Sequence, residues 1–296
     1  MKVTQVVSVK QHYFTVPEAE QAIESGVIRA ALILPKDLVT RSQQQRELGQ
    51  WLIDGSDTMI AGALSGLKNM PLTDFTVLKT PPASRTFEIT LLYNPSRRSA
   101  VNIVPGLLGV ILTMTMILFT SAAIVRERER GNLELLITTP VHSIELMIGK
   151  IVPYIFVGLI QVVIILGLGH FIFAVPINGS LSQILFGTLL FISASLTLGL
   201  VISTIANTQL QAMQMTVFIL LPSILLSGFM FPYEGMPIAA QWISEVLPAT
   251  HFMRVIRGIV LRGADLVDLW RDTLWLALFT IFGLLIAAMR FKKSLD

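Results

Sequence analysis

The longest uncharged part of the chain constrains the fold most strongly, because residues 151–233 contain no Asp, Glu, Lys or Arg. A helix of about 20 apolar residues crosses the hydrocarbon core of a bilayer. Breaks at residues 175–180 and 207–211, where Pro, Gly, Asn and Gln collect, divide the stretch into separate spans. With one further apolar segment on each side, the sequence predicts an α-helical polytopic membrane protein with five spans, at about 103–125, 148–173, 184–206, 212–232 and 272–289.

Composition supports this class and excludes several others. Only 14% of the 296 residues are charged, against about 25% in soluble proteins. The net charge of +3 comes from a few Lys and Arg residues beside the spans, where positive charge sets topology, so we expect no nucleic-acid partner. The chain has no cysteine, which excludes disulfides, thiol catalysis and thiolate metal sites.

Positive charges that flank the first and last spans predict the orientation. They are Arg126, Arg128, Arg130, Arg290, Lys292 and Lys293. Cytoplasmic flanks are enriched in Lys and Arg, so the first turn-around and the C-terminus are predicted to be cytoplasmic and residues 1–102 extracytoplasmic. Nothing ahead of residues 1–102 resembles a signal peptide or an anchor. We therefore expect that the chain as written lacks a first membrane helix and that the full protein has six spans.

Residues 1–102 are predicted to form a small extracytoplasmic α/β domain, and residues 103–296 the membrane domain. Helix and strand patterns alternate in residues 1–102, which is typical of such domains. The predicted helix at 17–25 places Ala19, Ala22 and Ile23 inward, and Gly26 caps it. The remaining elements are a strand through Val3, Val6, Val7 and Val9, strands at 27–34, 50–53 and 87–93, and a helix at 58–68.

The Asp-Gly-Ser-Asp sequence at 54–57 has two interpretations. Its carboxylates could belong to a metal or phosphate loop. Alternatively, the four residues form an Asx-type turn in which Ser56 or Asp57 caps the following helix. The turn is favoured, because the sequence places no other ligands nearby.

The first turn-around, residues 126–140, carries the pattern of a short amphipathic helix between two spans. Arg126 with Glu129 and Glu127 with Arg130 have the i,i+3 spacing of helical ion pairs. Gly131 then breaks the helix, and a new one is predicted at 132–138, where Leu133, Leu136 and Ile137 form an apolar stripe that ends before Pro140. This helix is too small to be a domain and is predicted to contact a partner at the cytoplasmic face.

The outer stretch at 234–264 is too polar to span the membrane and too apolar for a simple loop. Apolar faces around Trp242 and around Val255, separated by Pro248, predict two short helices that return into the outer leaflet. Arg254 and Arg257 are predicted to pair with Glu245 or to bind lipid phosphates. Interfacial snorkelling is the alternative for both arginines.

Two patterns inside the spans suggest packing and cargo surfaces. Small residues at 187–206 suit close helix packing, which we predict to lie across a dimer seam. Met213, Met215, Phe218 and Phe229 are predicted to line an adaptable apolar transport path. Ordinary lipid-facing surface is the alternative for these four side chains.

Several short motifs, in this order and spacing, resemble the permease subunits of ABC-2 type transporters, in the bacterial drug-export branch with a large extracytoplasmic loop. The first half of the chain carries Asp-Gly-Ser-Asp at 54–57, Tyr-Asn-Pro at 93–95, Val-Pro-Gly at 104–106, Glu-Arg-Glu-Arg-Gly at 127–131, Leu-Glu-Leu-Leu at 133–136 and Thr-Pro at 139–140. The second half carries Leu-Ser-Gly-Phe at 226–229, Phe-Pro at 231–232, Met-Pro at 236–237, Leu-Pro at 247–248, and Arg254 to Gly258 with Gly263. The resemblance covers essentially the whole chain and implies a type V exporter-like fold in the bacterial inner membrane.

The resemblance also implies partners. A separate ABC ATP-binding subunit would hold ATP and Mg and dock on the coupling helix at 132–138, since this chain has no phosphate-binding loop and binds no cofactor of its own. The implied coupling residues are Arg126, Glu127, Arg130, Gly131, Leu133, Glu134, Leu136, Ile137 and Pro140. Ordinary anchoring at the membrane flank is the alternative for the charged ones. The implied outer gate comprises Pro237, Trp242, Pro248, Arg254 and Arg257.

These observations predict an export permease for drugs or other lipophilic compounds. It would act with a second copy or a sibling permease, in contact with membrane lipids, and its outer domain would hand cargo to a periplasmic adaptor. The inner segments leave no room for the output domain of a receptor, and no catalytic set is present. The remaining alternative is an ABC-type assembly that performs mechanical work or exports lipids, ions or polymers.

Overall fold

The computed structural model describes residues 9–44, 46–69, 87–131 and 143–290. The chain divides into two compact units, Met1–Asn102 and Ile103–Asp296. The predicted strand through Val3, Val6 and Val7 lies outside the described residues, and Val9 lies outside the strands.

The first unit contains a mixed three-stranded sheet and three short helices. In chain order its elements are α1 (Val16–Glu24), β1 (Ala30–Ile33), α2 (Leu38–Gln43), β2 (Gly49–Asp54), α3 (Thr58–Ser65), a 3₁₀ turn (Gly66–Asn69) and β3 (Phe87–Leu92). The central strand β2 runs antiparallel to β1 and parallel to β3. The sequence prediction of a small α/β domain is thus confirmed for these described residues.

The core of this unit is built from the predicted inward faces. Ala19, Ala22 and Ile23 are buried on α1, as their spacing predicts, and Gly26 follows the helix with a φ of 77°. That left-handed conformation favours glycine. On the sheet, Trp51 packs edge-to-face on Phe87 with ring centroids 6.4 Å apart.

Residues 54–57 form a turn, as favoured by the sequence. The Asp57 carboxylate accepts hydrogen bonds from the backbone N–H groups of Met59 (3.0 Å) and Ile60 (3.2 Å) and so caps α3. The Asp54 carboxylate accepts from the backbone of Ser56 at 2.9 Å and from Arg29 at 3.2 Å. Both carboxylates therefore serve the turn, and the described residues contain no group of three His, Cys, Asp or Glu residues that could hold a metal.

The second unit contains five helices long and apolar enough to span a membrane among the described residues, which confirms the predicted number. They are α4 (Ser99–Glu129), α5 (Ser143–Phe171), α6 (Leu181–Ile205), α7 (Gln209–Leu226) and α10 (Trp270–Arg290). The helix α7 ends before the predicted boundary at 232, because the chain turns at Gly228 with a φ of 84°. Phe229 therefore lies in the outer turn and not on the helix.

The helix α6 lies at the centre of this unit. Of the most apolar 18-residue segment of α6, 61% of the residues are buried. The corresponding share is 56% for α4, 17% for α5, 17% for α7 and 11% for α10. A Cβ added at Gly199 would lie 2.8 Å from the carbonyl oxygen of Ile117 on α4, and one at Gly187 would lie 3.0 Å from Val255. The small residues therefore admit neighbours within the same chain. The predicted dimer seam is wrong for these buried positions.

Two short helices fill the outer connection, as predicted. They are α8 (Ile238–Val246) and α9 (Pro248–Arg257), and a π-helical turn (Gly258–Arg262) follows α9 and ends at Gly263 with a φ of 75°. The helix α9 is buried in the bundle, where Phe252 stacks on Phe191 of α6 with ring centroids 4.0 Å apart. In contrast, α8 leaves Trp242, Ile243 and Val246 more than half exposed.

The close approach of α6 to α4 gives a test of this packing. We expect Gly199→Ala to destabilise the protein by about 1–3 kcal/mol, because the added methyl group would clash with the backbone of α4. A helix backbone cannot move aside as the end of a flexible side chain can. The measurement is the thermal unfolding of purified protein in detergent, followed by tryptophan fluorescence. Gly167→Ala on α5 is the matched control, since a Cβ there meets nothing within 4 Å. Equal melting temperatures for the two variants would contradict the proposed packing.

Candidate coupling site and outer gate

The inner end of α4 leads into the predicted coupling helix. The helix ends at Glu129, and Gly131 adopts a φ of 71° while its N–H donates to the carbonyl of Arg128 at 3.1 Å. The predicted helix break at Gly131 is therefore confirmed. Five predicted coupling residues lie outside the described residues, namely Leu133, Glu134, Leu136, Ile137 and Pro140. Of the others, Arg126 and Arg130 are exposed and Glu127 is half-buried.

Arg128, for which the sequence predicted only a role in topology, binds the inner end of α6. Its guanidinium donates to the carbonyl of Ser203 at 2.8 Å and to that of Ala206 at 3.0 Å. Ser203 lies in the last turn of α6 and Ala206 is its C-cap residue. Carbonyl groups at a helix C-terminus lack intrahelical donors and carry partial negative charge, so a cation is stabilising there.

Glu129 binds the inner end of the next helix. Its carboxylate accepts hydrogen bonds from the backbone N–H of Gln209 at 2.9 Å and from the Gln209 side-chain amide. Gln209 is the first residue of α7, where an anion is favoured by the free N–H groups and the helix dipole. Among the described residues Glu129 makes no ion pair with Arg126, so the predicted i,i+3 pair is wrong, because the helix terminus takes the carboxylate.

An inner apolar layer lies beneath these polar contacts. Its buried members are Ile117, Val125, Ile202, Ala206 and Ala212, which come from α4, α6, the turn that follows it, and α7. Met215, one of the four predicted path residues, packs against this layer. Met213 and Phe218 are 42% and 76% exposed on another face of α7. The fourth, Phe229, lies against Gly106 on α4.

A narrow crevice, with room for about one water molecule, lies between α4, α7 and α9. It is lined by Gly109, Thr113, Ser223, Ser227 and Met253, together with neighbouring apolar side chains. The hydroxyl of Thr113 donates to the carbonyl of Gly109 at 2.7 Å, and that of Ser223 donates to the carbonyl of Ile219 at 2.7 Å. Because these hydroxyls are satisfied by their own helices, the crevice presents a largely apolar wall.

An outer charge cluster joins α8, α9 and α10. Its members are Glu245, His251, Arg254 and Asp272. Arg254 donates to both carboxylates, at 3.2 Å to Glu245 and 3.3 Å to Asp272. The predicted pairing of Arg254 with Glu245 is therefore confirmed. The guanidinium also lies over the ring of Tyr233, 4.7 Å from its centroid.

His251 was missed by the sequence analysis, although it lies on the same short helix as Arg254. Its Nδ1 is 2.7 Å from a carboxylate oxygen of Asp272, and its Nε2 is 2.9 Å from the backbone carbonyl of Glu245. Its ring stacks on Trp275 at 4.2 Å. Each ring nitrogen therefore faces an oxygen, one on α10 and one at the end of α8. Its carboxylate partner lies 21 positions away on another helix, so no local pattern in the sequence signals the contact.

Arg254 and Glu245 shift each other's pKa. Burial alone would raise the pKa of Glu245, but the hydrogen bond and charge of Arg254 outweigh burial and hold that pKa below its ordinary value. Burial would lower the pKa of Arg254, but its bonds to Glu245 and Asp272 hold that pKa above its ordinary value. Burial, followed by the hydrogen bond to Glu245, raises the pKa of Tyr233. Glu245 and Arg254 are therefore both charged at neutral pH.

The remaining predicted gate residues occupy distinct environments. Pro237 is the N-cap residue of α8 and Pro248 is the first residue of α9, a position where proline is well tolerated. Trp242 is 75% exposed on α8. Arg257 is buried with α9, so its side chain does not lie in a lipid-facing position. Of the five residues, only Arg254 belongs to the outer charge cluster.

The sequence of this chain is similar to those of known transport proteins. A family model described as "ABC-2 family transporter protein" matches residues 1–289. The "Probable multidrug ABC transporter permease YbhS" of Escherichia coli K12 is 29% identical over 283 residues, covering 93% of this chain and 75% of that protein. The "Probable multidrug ABC transporter permease YbhR" of the same strain is 32% identical over 197 residues, covering 67% and 53%. The "Inner membrane transport permease YhhJ" is 34% identical over 199 residues, covering 64% and 52%. No solved structure gives a significant match.

The outer charge cluster gives a pH-dependent test. We expect Arg254→Gln to destabilise the protein at pH 7 by about 1–2 kcal/mol, because Glu245 and Asp272 then lose their cation. The loss is modest because the ion pair of Arg254 with Glu245 is only partly buried. Since the folded pKa of Glu245 is lowered, its stabilising contribution is present above the unfolded pKa and is lost as pH falls through the folded pKa. Thermal unfolding at pH 7 and at pH 4 should therefore show a smaller difference between variant and parent at pH 4.

The matched control for this test is Arg41→Gln, which removes an exposed i,i+4 pair with Asp37 on the first unit. Such surface pairs contribute little, so we expect almost no change in melting temperature. A destabilisation by Arg254→Gln that is as large at pH 4 as at pH 7 would contradict the role given to Glu245.

Proposed function

The chain belongs to the ABC-2 transporter family, and from that premise we propose that it is the membrane subunit of an ATP-driven exporter of drugs or other lipophilic compounds. The observation that carries this proposal is the match of the family over residues 1–289, which includes all five apolar helices. Relatives that are named multidrug ABC transporter permeases support the drug-like class of cargo.

The energy source in this proposal is a separate ABC ATP-binding subunit. It docks at the cytoplasmic face on residues 132–138, where Leu133, Leu136 and Ile137 enter its groove. The charges of Arg126, Arg130 and Glu134 set the register of docking. The described helix break at Gly131 supports this arrangement, because it separates the membrane helix α4 from the segment that follows.

An apolar cargo suits the surfaces that the described helices present. Met213, Val217 and Phe218 form an exposed apolar face on α7. Met and Phe side chains adapt to varied apolar shapes. The spans α5, α7 and α10 are mostly unburied within one chain, which leaves them for lipid and for a second copy or a sibling permease.

The proposed setting is a bacterial inner membrane. Residues 1–102 lie outside the cytoplasm, where they meet a periplasmic adaptor, and the C-terminus lies inside. The positive charges that flank α4 and follow α10 support this orientation. The printed name of YhhJ, an inner membrane transport permease, supports the compartment.

Docking on the coupling helix is tested with Leu136→Asp. We expect the intact chain, co-expressed with an ABC ATP-binding subunit of the same organism and reconstituted in lipid nanodiscs, to co-purify with that subunit and to support ATP hydrolysis. A carboxylate in the centre of the apolar stripe should reduce both by about tenfold or more, because an unpaired charge would be desolvated in the interface. The measurements are the stoichiometry of the purified complex and its rate of phosphate release.

Leu34→Asp is the matched control, because Leu34 is 54% exposed on the first unit and the same substitution there should leave the complex intact. Failure of the intact chain to retain any ATP-binding subunit would contradict the proposed function. Retention of full ATPase activity by Leu136→Asp would contradict the docking site alone.

The absence of cysteine allows a direct test of orientation. We expect Val39→Cys, on an exposed position of α2, to react with a membrane-impermeant maleimide in intact spheroplasts. Asn207→Cys, in the exposed turn between α6 and α7, should react only after the membrane is permeabilised. The opposite pattern would reverse the proposed topology.

A further inference from the structure

We propose that Arg128 and Glu129 form an end clamp that carries a displacement of the coupling segment into α6 and α7. The inference rests on the proposed function, since the displacement is that of the docked ATP-binding subunit. It assigns a positioning role to two residues for which the sequence predicted only topology and a local ion pair. The following observations support it.

The end clamp binds two helix termini of opposite polarity with two adjacent side chains of opposite charge. Arg128 donates to carbonyls at the C-terminal end of α6, and Glu129 accepts from the N-terminal residue of α7. Each charge matches the partial charge of the terminus that it contacts. Exchanging the two residues would place each charge against a terminus of its own sign.

The connection between the two clamped termini is short and internally bonded. Only residues 206–208 separate α6 from α7. Within it, the backbone N–H of Asn207 donates to the side chain of Gln211 at 2.8 Å, and the Thr208 hydroxyl accepts from the backbone of Gln211 at 3.2 Å. A contact at both ends of such a turn therefore fixes the turn as a whole relative to α4.

The inner apolar layer makes the contact broad enough to transmit force. Val125 lies one turn before the clamp on α4 and packs with Ile202 and Ala212 on the two clamped helices. Packed apolar side chains resist compression, so they transmit a displacement. The polar clamp prevents sliding along this layer, because its hydrogen bonds are directional.

Ordinary membrane-flank anchoring does not account for these contacts. An anchoring arginine exposes its guanidinium to lipid phosphates or water. Arg126 on the last turn of α4 and Arg130 directly after that helix are exposed in this way. Arg128 is half-buried, and it donates two hydrogen bonds to backbone groups of another helix.

The far end of α7 is hydrogen-bonded to α8, so a displacement of α7 can be passed on to α8. The carbonyl of Leu226, the last residue of α7, accepts a hydrogen bond from the hydroxyl of Ser244 on α8 at 2.6 Å. A side-chain amide of Gln241, also on α8, donates to the carbonyls of Tyr233 and Met236 in the segment that joins the two helices. A movement of α7 thus reaches the outer turn that contains Met230, which is 49% exposed.

The test uses the complex with the ATP-binding subunit in nanodiscs and a single cysteine, Met230→Cys, in the cysteine-free chain. The probe is the rate of labelling by a membrane-impermeant maleimide, compared between the nucleotide-free complex and the complex trapped with ATP, Mg and orthovanadate. We expect the two rates to differ by about fivefold or more when the clamp is intact, the lower end of typical coupling between sites. In Arg128→Met with Glu129→Gln, we expect the difference to vanish while ATP hydrolysis continues.

Two controls separate transmission from folding. Arg290→Met removes an exposed arginine at the inner end of α10 and should keep the full difference in labelling. Arg128→Lys keeps a cation and hydrogen-bond donors, so it should restore most of the difference in labelling. Glu129→Gln alone changes an exposed residue, so its effect on folding should be mild. Melting temperatures of all variants are measured in parallel.

The outcomes distinguish the two proposals. If Arg128→Met with Glu129→Gln keeps the nucleotide-dependent difference, the end clamp is overturned and the proposed function stands. The same holds if the intact chain hydrolyses ATP with its partner but shows no difference in labelling at Met230→Cys. If no ATP-binding subunit associates with the intact chain, the proposed function fails, and the end clamp, which depends on it, fails too.

Discussion

The packing of α6 is the constraint on which the rest of the membrane unit depends. A bilayer offers little hydrophobic drive for helices to associate, so contact distance and shape decide which helices meet. Small side chains along α6 admit α4 at Gly199, α9 at Gly187 and α10 at Thr197. The positions of the clamped inner ends, the apolar crevice and the outer charge cluster follow from this central helix, because each is built from elements that pack on it or continue from it.

Much of the architecture was predictable, because membrane spans and helix ends leave local signals in sequence. Uncharged stretches predicted five spans, and the spacing of Ala19, Ala22 and Ile23 predicted the inward face of α1. Glycine marked the helix break at Gly131. The pairing of Arg254 with Glu245 was predictable because the two residues lie on consecutive short helices with few other charges nearby.

What the sequence did not predict depends on tertiary contacts between distant residues. His251 meets Asp272 across 21 positions, and Arg128 meets Ser203 across 75. No periodic pattern encodes such a meeting. The same limit explains the misplaced dimer seam: small residues predict close approach, but they do not tell whether the approaching helix belongs to the same chain. The four predicted path residues likewise share chemistry but not one face, because α7 turns Met215 inward and Phe218 outward.

The burial of α9 has a consequence for biosynthesis. This helix is enclosed by α6 and α10, and its His251 and Arg254 reach Asp272 at the start of α10. During synthesis from the N-terminus, His251 and Arg254 can meet Glu245 on α8, but each lacks its second partner until Asp272 of α10 has been made. The bundle can therefore close over α9 only once α10 has joined the helices that precede it in the chain.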